Sequence, residues 1–194
     1  MEAKDFVDEL VARARKAQEE YEKFSQEQAD AIVRACAKAV YDNAEYLARL
    51  AVDETRMGVY EHKIQKNKGK AKVIWNSLKG KKSVGILSRN EETGITEIAR
   101  PVGVVGAVTP CTNPVVTPMC NAMFALKGLN AIIIGPHPRS KNTSYETVRL
   151  MNEAIAKLGA PKNLIQIIEE PTVELSSALM HAVDVVVATG GMPM

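Results

Sequence analysis

The sequence predicts an α/β protein in which a helical N-terminal region and a hairpin lead into a parallel sheet. Three observations support this. Apolar residues recur at helical spacing through about the first 80 positions. The stretch SVGILSRNEETGITEIAR alternates apolar and polar residues about a polar turn, as a hairpin does. After it, short branched apolar runs take turns with amphipathic stretches long enough for helices, the pattern of a sheet covered on both faces.

The first helix rests on Phe6, Val7, Leu10, Val11, Ala14 and Ala17, which form one stripe. Ser25 and Gln28 have the spacing of a capping box. The helix they open carries Ile32, Ala35, Cys36, Ala39 and Val40 on one face, which assigns Cys36 to the core. A third helical pattern covers 43–57 and stops at Gly58. A fourth covers about 60–79, with Trp75 and Leu78 inward and Gly80 as the stop. Beyond the hairpin, strands are expected at 102–108, 131–134, 164–168 and 184–188, with helices at 114–126, 143–158 and 173–181. Such an order implies parallel strands with right-handed crossovers and puts ligands beyond the carboxyl ends of the strands. Residues 1–82 and 83–194 are read as two regions of one domain.

Composition narrows the function classes. The 194 residues are 46% hydrophobic and 25% charged, as in an ordinary globular domain. A net charge of +2 does not argue for nucleic acid. The lysines at 63, 66, 68, 70 and 72 lack interleaved aromatics for base stacking and read as a solvated helix face. No apolar run approaches the roughly 20 residues of a membrane span. The opening MEAKDFVDEL is acidic where a secretory leader is basic. The three cysteines, Cys36, Cys111 and Cys120, leave one unpaired, so a reducing, cytoplasmic setting is expected. His62 lies among charges and reads as exposed, and His181 reads as a structural residue at a helix end.

Polar clusters stand at three predicted carboxyl ends: TPCTNP after the first strand, GPHPRSK after the second and ATGG after the last. None is a P-loop and none is GxGxxG. Each leads toward a helix start, where free N–H groups and the dipole suit a pyrophosphate. Thr189, Gly190 and Gly191 let backbone approach a phosphate closely, although small-residue turns after strands are common. Prolines stiffen the loop bearing His137, Pro138 and Arg139, which fits either a phosphate contact or a plain surface turn. Asn113, before Pro114, fits a helix cap.

The segment IARPVGVVGAVTPCTNPVVTPMCNAMFALKGLNAIIIGPHPRSKN resembles the cofactor-binding half of the CoA-acylating aldehyde dehydrogenases. So do GAPKNLIQIIEEPTVELSSALMH and DVVVATGG, in the same order, and ETRMGVYEHKIQKN resembles that family's helical N-terminal region. The resemblance implies a Rossmann-like nucleotide-binding region at 83–194 that takes NAD or NADP, with coenzyme A as co-substrate and a short polar aldehyde such as sulfoacetaldehyde as substrate. The implied reaction turns aldehyde, coenzyme A and NAD(P)+ into acyl-CoA and NAD(P)H, and the implied assembly is a homo-oligomer. The family's nucleophilic cysteine lies in a catalytic domain after the ATGG region, which these 194 residues do not include. Cys111 does not match that nucleophile. It falls instead with Thr109, Pro110 and Thr112 among the expected cofactor-binding residues, beside His137, Pro138, Arg139, Thr189, Gly190 and Gly191. Asn113 matches the residue whose amide hydrogen-bonds the substrate oxygen as charge develops on it. Non-acylating relatives carry Lys-Pro-x-Glu where this chain has Gly135-Pro136-His137-Pro138. The missing Glu leaves NADP open. A non-catalytic nucleotide-binding or oligomer-forming module is the alternative.

Overall fold

Four helices come first in the computed structural model, which describes residues 2–191: α1 (Ala3–Tyr21), α2 (Gln26–Asp42), α3 (Ala44–Thr55) and α4 (Tyr60–Leu78). The Ser25–Gln28 capping box forms in both directions. The third helix ends before Gly58, because Arg56 already adopts the left-handed conformation (φ 57°). Cys36 is fully buried, and burial pushes its thiol up to about 12.

The hairpin pairs β1 (Gly85–Asn90) with β2 (Ile95–Ala99) antiparallel, and most of both strands is exposed. There follow β3 (Val104–Val108), α5 (Val116–Lys127), β4 (Ala131–Gly135), a 3-10 turn (Pro138–Ser140), α6 (Lys141–Ala156), β5 (Ile165–Ile167), α7 (Val173–Ala182) and β6 (Val185–Ala188). Each element falls where the periodicity puts it, with ends differing by one or two residues. The four later strands form one parallel sheet in the order β5-β4-β3-β6. The chain thus builds outward from β3 to β5, then returns across the sheet to lay β6 on the other side of β3.

Helices α1 and α7 pack together over one face of the sheet, while α5 and α6 cover the other and carry α2, α3 and α4 outside them. Isoleucines 132, 133 and 134 are fully buried between these layers, as a continuous apolar strand requires. The expectation of double coverage fails at β6, where Val185 and Val186 are 38% and 40% exposed. Gly106 admits the closest approach in the sheet, since a Cβ there would sit 2.8 Å from Val183 Cγ2. Asp184 ties β6 to β3 by accepting the Val104 N–H (2.8 Å) while paired with Arg15 of α1 (2.9 Å).

Candidate functional site

Register brings the site together. Val108 pairs with Gly135 on one side and with Ala188 on the other, so three strands end level. The ladders continue one residue further: the Thr109 N–H donates to Gly135 O (3.0 Å) and the Thr189 N–H to Val108 O (3.0 Å). Residues 109–113, 135–139 and 189–191 therefore leave from a single row, at the position where the chain reverses its direction of building. That is the switch point, at which open α/β sheets bind ligands.

Several features of this row fit a nucleotide. Thr109 is 2% exposed, and its hydroxyl has no partner among the described residues. The exposed Arg139 guanidinium has none there either, while its backbone N–H donates to His137 Nδ1 (3.1 Å). No side chain caps α5 at Val115. One expected phosphate position does not fit, however. The start of α6 is already filled by Glu54, whose carboxylate accepts the Asn142 N–H (2.9 Å), the Thr143 N–H (2.8 Å) and the Thr143 hydroxyl. An anion there would meet a carboxylate. Any pyrophosphate is left with the Thr109–Asn113 and Thr189–Gly191 side of the row.

The geometry bears on one of the two readings of Asn113, the helix cap. Its amide does not cap α5, which begins at Val116. The side-chain oxygen instead accepts from the Lys66 ammonium, and Nδ2 reaches only Thr112 Oγ1, at a long 3.4 Å. Beside it, Lys63 donates to Thr112 O (3.3 Å). Burial, and then the charge of Lys66, lowers the Lys63 pKa, with the Cys111 sulfur acting the other way. Cys111 is half-buried, 3.9 Å from Met57 Sδ. The lysine cluster is therefore not simply a solvated face. Lys68 pairs with Glu45 and Lys72 lies over the Tyr41 ring, but Lys63 and Lys66 reach back to the TPCTN loop. Their spacing of three puts them on one helical face, but nothing in the sequence says what that face meets.

A cavity of about 1060 Å³ lies elsewhere, along the outer edge of β5 between α1 and α6. No residue of the three loops at 109–113, 137–139 or 189–191 lines it, and its Arg149 is already paired with Glu146 and Glu153. Among the described residues, the unpartnered Thr109 hydroxyl and Arg139 guanidinium lie at the carboxyl ends of the sheet.

A doubly wound parallel sheet with polar loops at its switch point is the architecture of a nucleotide-binding unit. The profile of the aldehyde dehydrogenase family matches residues 1–194, and the chain belongs to that family. It is 54% identical over 185 residues to succinate-semialdehyde dehydrogenase (acetylating) of Clostridium kluyveri, covering 95% of this chain and 41% of that protein. The acetylating aldehyde dehydrogenase of Geobacillus thermoglucosidasius superposes with a TM-score of 0.94 at 39% identity, over 98% of this chain and 43% of that one. Propionaldehyde dehydrogenase of Rhodopseudomonas palustris, solved with bound CoA and an acylated cysteine, gives 0.81 at 35% identity over 96% and 43%. An engineered glycolyl-CoA reductase with bound NADP+ gives 0.81 at 34% over 96% and 43%. The chain thus spans about two fifths of the length of these relatives, and it corresponds to their N-terminal, cofactor-binding portion.

Proposed function

We propose that this chain supplies the nucleotide site and the oxyanion donor of an NAD(P)-dependent CoA-acylating aldehyde dehydrogenase. The level row of loops at the ends of β3, β4 and β6 carries that reading. Thr109, Pro110, Cys111, Thr112, Thr189, Gly190 and Gly191 border the dinucleotide, and His137, Pro138 and Arg139 its ribose end. Bound NAD or NADP supplies the hydride acceptor, and coenzyme A the thiol that carries off the acyl group. The part of this chain is to bind, orient and stabilise. Asn113 Nδ2 donates to the aldehyde oxygen as it gains negative charge, which matters because such a donor costs nothing to reorganise during reaction. A short polar aldehyde fits the likeness to succinate-semialdehyde dehydrogenase, and a cytoplasmic homo-oligomer is the setting proposed.

The test joins this chain to the remainder of the Clostridium kluyveri relative and follows NAD(P)H formation from aldehyde and coenzyme A. Asn113→Ala is expected to lower kcat about 100-fold or more, the usual loss for one oxyanion donor. Cys111→Ser should keep most activity, and the 194-residue chain alone should show none. Turnover by the chain alone that vanishes in Cys111→Ser would overturn the assignment and make Cys111 the nucleophile.

A further inference from the structure

We propose that Lys66 is a positioning residue that fixes which way the Asn113 amide faces. This rests on the reading of Asn113 as an oxyanion donor and explains how that donor is prepared. A carboxamide can flip, exchanging its acceptor oxygen for its two N–H donors. An ammonium group has donors only, so it can bind the oxygen and not the nitrogen. With Lys66 on Asn113 Oδ1, the flipped amide would set N–H against N–H beside a positive charge. Nδ2 is thereby committed to face away from Lys66, and its one recorded partner, Thr112 Oγ1, is long enough to yield to a better acceptor.

The surroundings serve the same end. Lys63, one turn earlier on α4, holds the carbonyl of Thr112, so two ammonium groups brace consecutive residues of the loop. The stem of Lys63 passes over Gly58, where a Cβ would stand 3.0 Å from Lys63 Cε and where φ is +81°. The turn between α3 and α4 thus requires glycine for two reasons, space for this lysine and backbone sign. α4 itself is packed against α2, α3 and α5, so the two ammonium groups are presented from a braced helix.

The test has two arms. In the 194-residue chain, the Asn113 side-chain amide is followed by 15N relaxation. It should be rigid in the parent, mobile in Lys66→Met, rigid again in Lys66→Arg, and unaffected by the control Lys70→Met. In the chain joined to the rest of the Clostridium kluyveri relative, Lys66→Met should lower kcat about tenfold or more. KM for NAD(P)+ and coenzyme A should move less than about twofold, and Lys66→Arg should restore most of kcat. The double variant with Asn113→Ala should be no slower than Asn113→Ala alone, because Lys66 acts only through that amide. An amide equally rigid in Lys66→Met, or losses that multiply in the double variant, would overturn the role of Lys66 while leaving Asn113 as donor. Full activity in Asn113→Ala would instead remove the oxyanion reading, and this proposal with it.

Discussion

Replacing Glu54 with alanine removes the cap of the helix that follows the PHPRSK loop, and the cost follows from three contacts. The carboxylate accepts two backbone N–H groups and one hydroxyl at the start of α6, 88 and 89 positions away in sequence. Asn142 is exposed, so water replaces the lost acceptor for its N–H. Thr143 is fully buried, and its N–H and hydroxyl would lose their partner where water enters poorly. A buried group left unsatisfied costs about 1–3 kcal/mol, and a lost helix cap about 1 kcal/mol. The sum expected for Glu54→Ala is therefore about 2–4 kcal/mol, with about half for Glu54→Gln, which keeps an acceptor oxygen but loses the charge. At about 2–4 °C per kcal/mol for a chain of this size, Tm should fall by about 4–16 °C. Calorimetry gives the shift, and amide hydrogen exchange at Thr143 locates it. A Tm within about 1 °C of the parent, with Thr143 exchange unchanged, would refute the reasoning.

Asn130 is a second polar anchor: its side-chain oxygen accepts from Val102 N (2.6 Å) and Gly103 N (3.0 Å), and its Nδ2 donates to Ala125 O (3.2 Å). Asn130→Ala should lower the urea-unfolding free energy by about 1–3 kcal/mol, since the buried Gly103 N–H loses its acceptor. The cysteines should separate by reactivity. Burial raises Cys36 to about 12 and Cys120 to about 11, so an alkylating reagent at pH 8 should label the half-buried Cys111 first, as peptide mapping would report. The Cys36 shift also sets a pH dependence: the folded pKa lies above the unfolded value of 9.0, so stability is kept below pH 9 and lost as pH rises from there toward about 12, as denaturation at stepped pH would show. Arg139→Ala should weaken NADPH binding more than NADH binding, and the loss should shrink at high salt, because at the ribose end its charge meets the 2′-phosphate.

The parts of this molecule readable in the sequence are those set by local periodicity. The stripe from Phe6 to Ala17, the Ser25–Gln28 box and the branched runs around Ile133 each place an element by chemistry within a few residues. The parallel sheet follows from their alternation. Contacts between distant residues were not readable. Nothing near Glu54 shows that it closes a helix 88 positions later, and nothing near Lys66 shows that it holds Asn113. Composition made the lysines look like a solvated face because it counts charge and cannot say where a long side chain ends. The exposure of Val185 and Val186 was hidden for the same reason: an apolar strand reads alike whether or not both faces are covered.

The central claim, a nucleotide site across the level ends of β3, β4 and β6, is tested most directly by titrating the 15N-labelled chain with NADH, NADPH and coenzyme A while following backbone amide shifts. The account predicts saturable shifts at 109–113, 137–139 and 189–191, with the amides of Asn142 and Thr143 little changed because Glu54 keeps that helix end. Shifts confined to the groove beside β5, or none with any of the three nucleotides, would contradict it.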